Sequence, residues 1–364
     1  MSATAQNPSA LAAEWADAMI AEGFAHARRM AALPFVVQKA RRVRKGVTPA
    51  EVVYEEDRVR LFRYLGANAP VHRTPLLFVF ALVNRPYIFD LKEGRSVVAQ
   101  FVDAGFDTYL LDWGIPTQAE RFLTPDDYIN GYLLNAVDYL RERCHVPTVN
   151  LLGYCMGGTI ATMFAALHQA LVKNLLILAA GIDFSTREGL INLWTDPKYF
   201  DVDKFVESVG NVPAEFLQNA FLMLKPIQNL IEKPLNFWEN CDKGEFVEDF
   251  LTMETWLNDN VPVPGEMYRQ WAKYLFQQNL LVQNRMPVGK HIVDLRKITC
   301  PLMNLMAEKD DLVPCSQSAP LNDLVSSTDK RSIVVPSGHI GLSIGRHAQK
   351  HVWPAVCQWL AERS

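Results

Sequence analysis

The sequence lacks the patterns that mark metal-binding, secreted and membrane-spanning proteins. None of its six cysteines stands in a Cys-x-x-Cys pair, so no metal site is indicated. No secretory signal peptide opens the chain, and no apolar run reaches the length that spans a bilayer. We therefore expect a cytoplasmic protein with reduced thiols, no transmembrane segment, and no metal or organic cofactor. The cysteines are Cys144, Cys155, Cys241, Cys300, Cys315 and Cys357.

The sequence also lacks an excess of positive charge, which argues against nucleic acid as a partner. The net charge of the 364 residues is −4. Residues 1–45 carry seven Lys/Arg and three Asp/Glu, a net of +4, so the remainder carries −8. The basic run at 39–45 predicts either contact with an anionic partner or surface, or a solvated helix face.

Hydrophobic patterning predicts one α/β core that carries an insertion. The composition, 49% hydrophobic and 21% charged residues, is ordinary for a soluble globular enzyme. Residues 1–45 are predicted to be a helical, basic N-terminal segment whose helix ends before Pro34. Strands and helices alternate in residues 46–182 and 298–364, which we assign to the core. Residues 183–297 break this alternation and predict a mainly helical cap (lid), or else a surface appendage without a gating role.

Continuous apolar runs in the core predict strands that are buried on both faces, as in a mostly parallel sheet. An edge hairpin over residues 52–64 precedes them. The predicted buried strands are Leu76–Val83, Thr108–Asp112, Val149–Leu152, Leu175–Ala180, Pro301–Met306 and Arg331–Val335.

The most informative segment is Gly-Tyr-Cys-Met-Gly at 153–157, which joins an apolar strand to a helix. It has the form of the nucleophile elbow of the α/β-hydrolase fold, with Cys155 in the place of the usual serine. The glycines permit a turn too tight for side chains, and the N-terminus of the following helix favours a thiolate. The alternative is a buried cysteine in an ordinary strand–turn–helix connection.

An elbow nucleophile predicts an acid and a histidine later in the chain, in that order. His339 is the candidate histidine because it lies in a glycine-flanked loop after the last predicted strand, where open α/β sheets place their sites. The other seven histidines lie in predicted helices or connections. Asp310 and Asp311 compete as the acid, with Glu308 behind them. We favour Asp310, because Asp311 could instead cap the following turn.

An oxyanion hole needs two backbone N–H donors. Met156, which follows the nucleophile, is expected to supply one of them. The other is expected from the loop after residue 80, from Val83 or next from Asn84. Exchange of one thioester for another costs little free energy and keeps the acyl group activated. Cys155 therefore suits acyl transfer from a thioester to a hydroxyl better than lipid hydrolysis, although some hydrolases also use cysteine.

Six motifs together resemble those of the polyhydroxyalkanoate synthases. They are ALVNRPY at 81–87, LDWG at 111–114, DYINGY at 127–132, GYCMGG at 153–158, GNVP at 210–213 and SGHIG at 337–341. The similarity is predicted to extend over residues 47–364 and is close to the short catalytic subunits of the class III and class IV enzymes. Residues 1–45 match poorly, so no property of the family is transferred to them.

The resemblance implies an enzyme that polymerises (R)-3-hydroxyacyl-CoA, chiefly 3-hydroxybutyryl-CoA, into polyester with release of CoA. The CoA thioester is then a substrate and not a cofactor. The resemblance implies that Cys155 holds the growing chain, that His339 activates Cys155 and then the incoming 3-hydroxyl, and that Asp310 orients His339. It also implies a second synthase subunit and a place at the surface of a polyester granule, and we expect a homo-oligomer.

Two other interpretations remain open at the level of the sequence. A Cys-dependent hydrolase, such as a polyester depolymerase, a thioesterase or a dienelactone-type enzyme, would use the same triad with water. A non-catalytic scaffold subunit at the granule surface would not need the triad. Aromatic residues of the predicted cap form either an apolar throat, a partner or granule surface, or the core of the cap itself. These aromatics are Trp194, Phe200, Phe205, Phe237 and Trp238.

Overall fold

The computed structural model describes the backbone of residues 8–364 and the side chains of residues 17–364. The strands in this part of the chain are β1 (Ala50–Glu56), β2 (Val59–Tyr64), β3 (His72–Val79), β4 (Asp90–Lys92), β5 (Arg95–Ser96), β6 (Phe106–Asp112), β7 (Val149–Tyr154), β8 (Val172–Leu178), β9 (Met286–Val288), β10 (His291–Val293), β11 (Leu302–Ala307) and β12 (Lys330–Val335).

Eight of these strands form one sheet in the order β1-β2-β6-β3-β7-β8-β11-β12. The pairs β1–β2 and β2–β6 are antiparallel, and every other pair in this sheet is parallel. Thus β2 alone runs opposite in direction to the other seven strands of the sheet. The central strand β7 is buried along its whole length, as expected when helices cover both faces of a parallel sheet. The predicted α/β architecture with a mostly parallel sheet is confirmed.

The α-helices of the same range are α1 (Pro8–Ala40), α2 (Val97–Asp103), α3 (Leu134–Cys144), α4 (Met156–Leu167), α5 (Leu190–Trp194), α6 (Val202–Val209), α7 (Ala214–Met223), α8 (Lys233–Asn240), α9 (Gly244–Leu257), α10 (Gly265–Gln270), α11 (Cys315–Ser318), α12 (Leu321–Leu324), α13 (His339–Ile344) and α14 (Trp353–Ala361). Among the described residues, no helix is both long enough and apolar enough to cross a membrane.

Shorter helical segments adjoin these elements. The π-helical segments are Asp127–Leu133, Gln228–Glu232, Trp271–Gln277 and Ala348–Val352, and the 3-10 turns are Pro86–Phe89, Gln118–Phe122, Gln169–Leu171 and Leu295–Lys297.

The strand that was predicted at Leu76–Val83 is shifted in the structure. It begins at His72 and ends at Val79, although Phe80, Ala81 and Leu82 remain buried. An apolar run records burial and does not distinguish a buried strand from a buried loop. The loop that follows β3 therefore starts inside the hydrophobic core, close to the elbow.

The described residues divide into two compact units. The main unit comprises residues 45–224 and 256–364, and the small unit comprises residues 8–44 and 225–255. The main unit contains the whole of the eight-stranded sheet and the elbow. Between β8 and β11 the chain forms helices α5 to α10 and the β9–β10 hairpin. The assignment of residues 183–297 to a cap stays a prediction.

In the small unit, helix α1 continues through Pro34 to Ala40, so the predicted helix end before this proline is wrong. A proline inside a helix removes one backbone hydrogen bond and is unfavourable by about 3 kcal/mol. Beyond the proline, the Lys39 ammonium lies 3.2 Å from the Glu248 carboxylate. On the other side of Pro34, His26 packs against the Trp238 ring at a centroid distance of 5.4 Å.

Glycine at position 153 is required by close packing between β7 and α4. A Cβ atom there would lie 2.6 Å from the Gly158 Cα and 2.7 Å from the Gly157 carbonyl oxygen. We expect Gly153→Ala to lower the free energy of unfolding by about 2 kcal/mol or more, because the clashing atoms belong to the backbone. Urea unfolding followed by tryptophan fluorescence measures this change.

Gly131→Ala is the matched control for this prediction. Gly131 lies in the helical segment Asp127–Leu133, and a Cβ atom there would have no heavy atom within 4 Å. We expect this variant to be as stable as the wild type or more stable by up to about 1 kcal/mol. Equal stability of the two alanine variants would contradict the packing argument.

Candidate active site

Cys155 occupies the turn between β7 and α4. Its backbone has φ 56° and ψ −130°, a strained conformation that side chains rarely adopt outside functional sites. The Cys155 N–H donates to the Leu178 carbonyl at 2.9 Å, and its own carbonyl accepts from the Gly158 N–H at 2.9 Å. The turn is therefore fixed from both sides, and the half-buried thiol is held at its tip. The positive φ is the geometry expected of a nucleophile elbow.

The structure brings the other two predicted residues of the site to Cys155. The Asp310 Oδ2 atom lies 2.7 Å from the His339 Nδ1 atom. The Cys155 side chain lies close enough to the same imidazole to raise its pKa by charge and by hydrogen bonding. Asp310 follows β11, and His339 begins α13 after β12, so both lie beyond the carboxyl ends of parallel strands. The three side chains form one continuous chain of contacts.

The geometry separates the two candidate acids. The Asp310 side chain is fully buried, whereas Asp311 and Glu308 are exposed. The second Asp310 oxygen, Oδ1, accepts hydrogen bonds from the backbone N–H groups of Leu312 and Val313 at 2.9 and 2.8 Å. Asp310 is therefore anchored by its own loop, with one oxygen left for His339.

The His339 imidazole is strongly biased toward its protonated form. Burial of the ring opposes protonation, but the negative charges of Asp310 and Cys155 and the hydrogen bonds to both outweigh it. Together they raise the pKa of His339 from 6.5 to about 10. A cation that is paired with a carboxylate and faces a cysteine sulfur is the electrostatic arrangement that activates a cysteine nucleophile.

This shift predicts a pH-dependent contribution to stability. Because the folded-state pKa of His339 is raised, protonation stabilises the native state fully below the unfolded value of 6.5, and this stabilisation is lost as the pH rises toward about 10. We expect the difference in unfolding free energy between wild type and His339→Gln to fall steadily across this window. Urea unfolding at a series of pH values measures it. A difference that stays constant or grows with pH would contradict the assigned direction.

The two predicted oxyanion donors both border the cavity beside Cys155. Met156 is the first residue of α4, where a backbone N–H has no acceptor within the helix. Val83 lies in the loop after β3, and its carbonyl accepts from the Val261 N–H at 3.2 Å. The Trp113 Nε1–H donates to the Phe80 carbonyl of the same loop at 2.9 Å. These bonds fix the loop, and the donor role of Val83 and Met156 stays a prediction.

An apolar cavity of about 230 Å³ lies over the elbow and is lined by Cys155 together with aromatic side chains. Of the aromatics singled out in the sequence, Trp194 and Phe200 line it, and Phe205 packs behind Phe200 with a ring separation of 5.4 Å. The aromatic lining residues are Phe184, Trp194, Phe200, Phe216, Phe221, Tyr268, Trp271 and Phe276.

The remaining two aromatics singled out in the sequence belong to the small unit. Phe237 packs on Phe250 with ring centroids 4.4 Å apart, and Trp238 packs on His26. Sequence reasoning did not find Phe216, Tyr268 or Phe276. Their helical spacing is the same as that of ordinary core residues, so the sequence carried no signal for them.

Within residues 17–364 no group of three His, Cys, Asp or Glu side chains is arranged to hold a metal ion. All six cysteines are free thiols.

Two family models match the chain. The model described as alpha/beta hydrolase fold matches residues 75–345. The model described as Poly-beta-hydroxybutyrate polymerase (PhaC) N-terminus matches residues 22–101. This second match overturns the expectation that the resemblance begins only at residue 47. Alanine-rich helical sequence between residues 22 and 45 carries few distinctive motifs, which is why inspection of the sequence missed it.

Several curated relatives are named "Poly(3-hydroxyalkanoate) polymerase subunit PhaC". The protein from Allochromatium vinosum is 43% identical over 320 residues, which cover 87% of this chain and 90% of the relative. The protein from Haloferax mediterranei is 43% identical over 319 residues, which cover 88% of this chain but 65% of the relative. The chain therefore spans nearly all of the first relative and about two thirds of the second.

A solved structure titled as a putative non-heme bromoperoxidase, BpoC, from Mycobacterium tuberculosis superposes with a TM-score of 0.54. It shares 15% sequence identity and covers 86% of this chain and 99% of its own. At this identity the likeness shows the fold alone. Taken together with the parallel sheet and the elbow, these matches confirm both the predicted α/β-hydrolase fold and the predicted family. The chain belongs to the PhaC family of poly(3-hydroxyalkanoate) polymerases.

Proposed function

We propose that this chain is an acyltransferase that polymerises (R)-3-hydroxyacyl-CoA into polyester, through a thioester on Cys155. The observation that carries the proposal is the contact of Cys155 with His339 and of His339 with Asp310 beside an apolar cavity. The family supplies the reaction class, because its members of 40–43% identity are named as poly(3-hydroxyalkanoate) polymerases.

The first step loads an acyl group onto the enzyme. The Cys155 thiolate attacks the thioester carbonyl of the acyl-CoA, the new carbon–sulfur bond forms, and the bond to the CoA sulfur breaks. The departing CoA thiolate takes the proton of the His339 imidazolium and leaves as the free thiol. Because one thioester replaces another, the acyl group keeps its activation for the next step.

The second step lengthens the polymer by one unit. His339, now neutral, removes the proton from the 3-hydroxyl of an incoming hydroxyacyl-CoA. The hydroxyl oxygen attacks the carbonyl of the chain on Cys155, an ester forms, and Cys155 leaves as the thiolate. Cys155 then attacks the CoA thioester at the end of the lengthened chain, so the chain returns to the enzyme and one CoA is released. Positioned acid–base groups of this kind contribute roughly 10²–10⁴-fold to the rate.

Each tetrahedral intermediate carries a negative oxygen, for which we propose the backbone N–H groups of Val83 and Met156 as donors. Asp310 orients His339 and stabilises its cationic form. The apolar lining of the cavity accommodates the hydrocarbon part of a short hydroxyacyl unit such as 3-hydroxybutyryl and excludes water. Exclusion of water favours transfer to a hydroxyl over hydrolysis.

The partners and the location are further parts of the proposal. The relatives from Allochromatium vinosum and Haloferax mediterranei are named as polymerase subunits, which supports a second synthase subunit for this chain. We also propose a homo-oligomer that acts at the surface of the polyester granule in the cytoplasm.

Product analysis tests this function. The purified chain, alone and with a candidate second subunit, is incubated with 3-hydroxybutyryl-CoA, and released CoA is compared with the polymer recovered by solvent extraction. We expect ester-linked polymer that accounts for the released CoA. Free 3-hydroxybutyrate in place of polymer would identify a hydrolase, and the absence of CoA release under all conditions would contradict an acyltransferase acting on this substrate.

A further inference from the structure

Tyr154 lies directly before the nucleophile and touches the catalytic machinery from the protein side. It is the last residue of β7, and the residue is 1% exposed. Its ring stacks on the His339 imidazole, with centroids 5.0 Å apart and planes inclined by 23°. Its hydroxyl donates a hydrogen bond to the His339 backbone carbonyl at 3.0 Å.

The ring of Tyr154 is also packed against two other aromatic side chains. Phe80 and Phe89 pack against it with ring centroids 5.6 and 5.7 Å away. Both of these side chains are buried. Burial also raises the pKa of Tyr154 well above its usual value, so the hydroxyl keeps its proton and remains a hydrogen-bond donor. Tyr154 therefore joins the His339 imidazole to a buried aromatic cluster.

His339 needs such a support because its own segment is rich in glycine. Gly338 precedes it, and Gly341 and Gly345 follow within and just after the six-residue helix α13. Glycine allows more backbone freedom than any other residue. Asp310 holds one edge of the imidazole through Nδ1, but an edge contact alone leaves the ring free to tilt. The stacked face and the bonded carbonyl restrict that tilt.

We propose that Tyr154 is a positioning residue that fixes the His339 imidazole in line between Asp310 and Cys155. The stacked ring sets the plane of the imidazole, and the hydrogen bond to the carbonyl fixes its backbone. This inference rests on the proposed function of His339 as the partner of Cys155. It adds a fourth side chain to the three that the elbow pattern predicts.

The test compares two tyrosine-to-phenylalanine variants. Tyr154→Phe keeps the stacked ring and removes only the hydroxyl that bonds His339. Tyr139→Phe is the matched control, because the Tyr139 hydroxyl also donates to a backbone carbonyl, that of Val53 at 2.7 Å. For Tyr154→Phe we expect kcat for CoA release to fall by roughly tenfold to 10²-fold, with KM within about twofold of wild type, because small misplacements of catalytic groups carry such losses. For Tyr139→Phe we expect wild-type kcat.

A second readout does not depend on polymer synthesis. The rate at which iodoacetamide alkylates Cys155 at neutral pH reports how well His339 pairs with the thiolate, and peptide mass spectrometry distinguishes Cys155 from the other thiols. We expect this rate to fall in Tyr154→Phe and not in Tyr139→Phe. Tyr154→Leu, which also removes the ring, should lower both readouts further.

The outcomes separate this inference from the proposed function. If wild type releases CoA normally and Tyr154→Phe matches Tyr139→Phe in kcat and in alkylation, the positioning role is overturned. If wild type releases no CoA, the proposed function fails, and the alkylation rates still decide whether Tyr154 positions His339. A loss of kcat that only parallels a loss of folded protein, measured by thermal unfolding of both variants, would also overturn it.

Discussion

Cys155→Ala is expected to abolish CoA release from 3-hydroxybutyryl-CoA, with a loss of about 10⁴-fold or more. The methyl group cannot form the thioester, so both proposed steps lose their covalent intermediate. Cys155→Ser should also remain far below wild type, because a serine oxoester retains too little driving force for transfer to a hydroxyl. The measurement is CoA release under saturating substrate, with the folded fraction checked by circular dichroism.

Cys144→Ala is the matched control for the nucleophile. Cys144 is also a half-buried free thiol, but it lies at the end of α3, with its sulfur 3.8 Å from the Asp107 carboxylate. We expect its replacement to leave CoA release unchanged. Wild-type activity of Cys155→Ala, or an equal loss in both variants, would remove Cys155 from the mechanism.

Asp310→Asn is expected to lower kcat by roughly 10²–10⁴-fold while the protein stays folded. The amide is nearly isosteric with the carboxylate, so the bonds from Leu312 and Val313 can be retained. The negative charge that stabilises the His339 imidazolium is lost, and with it the main electrostatic support for the Cys155 thiolate. Steady-state kinetics of CoA release measure the change.

The neighbouring aspartate provides the control for this second prediction. Asp311 is exposed, and the contact with the His339 Nδ1 atom is made by Asp310. We expect Asp311→Asn to keep kcat within about twofold of wild type. A larger loss in Asp311→Asn than in Asp310→Asn would reverse the assignment of the acid.

Local patterns in the sequence predicted the elbow because close packing in this turn leaves no room for side chains at its glycine positions. A Cβ atom at Gly153 would lie 2.6 Å from the Gly158 Cα across the turn, so only a short glycine-rich motif can make this connection. The chain order of nucleophile, acid and histidine then restricted the search to two later loops. Asp310 and Asp311 are adjacent, so spacing in the sequence alone left the choice of the acid open. The burial of the Asp310 side chain and its contact with the His339 imidazole resolve that choice.

The features that the sequence did not predict depend on contacts between distant segments. Beyond Pro34, α1 contacts partners such as Glu248, which lie more than two hundred residues away in the sequence. The aromatic lining of the cavity comes from helices whose apolar faces look like ordinary core. The stacking of Tyr154 on His339 joins two motifs that were each recognised, but their mutual geometry exists only in the folded chain.

The central claim is a covalent acyl group on the Cys155 sulfur, and mass spectrometry tests it most directly. Butyryl-CoA, which lacks the 3-hydroxyl, can acylate the thiol but cannot extend a chain. After incubation and rapid acid quenching, we predict a butyryl adduct on the peptide that contains Cys155 and none on the same peptide from Cys155→Ala. CoA release without an adduct at Cys155, or with an adduct on another residue, would contradict the account.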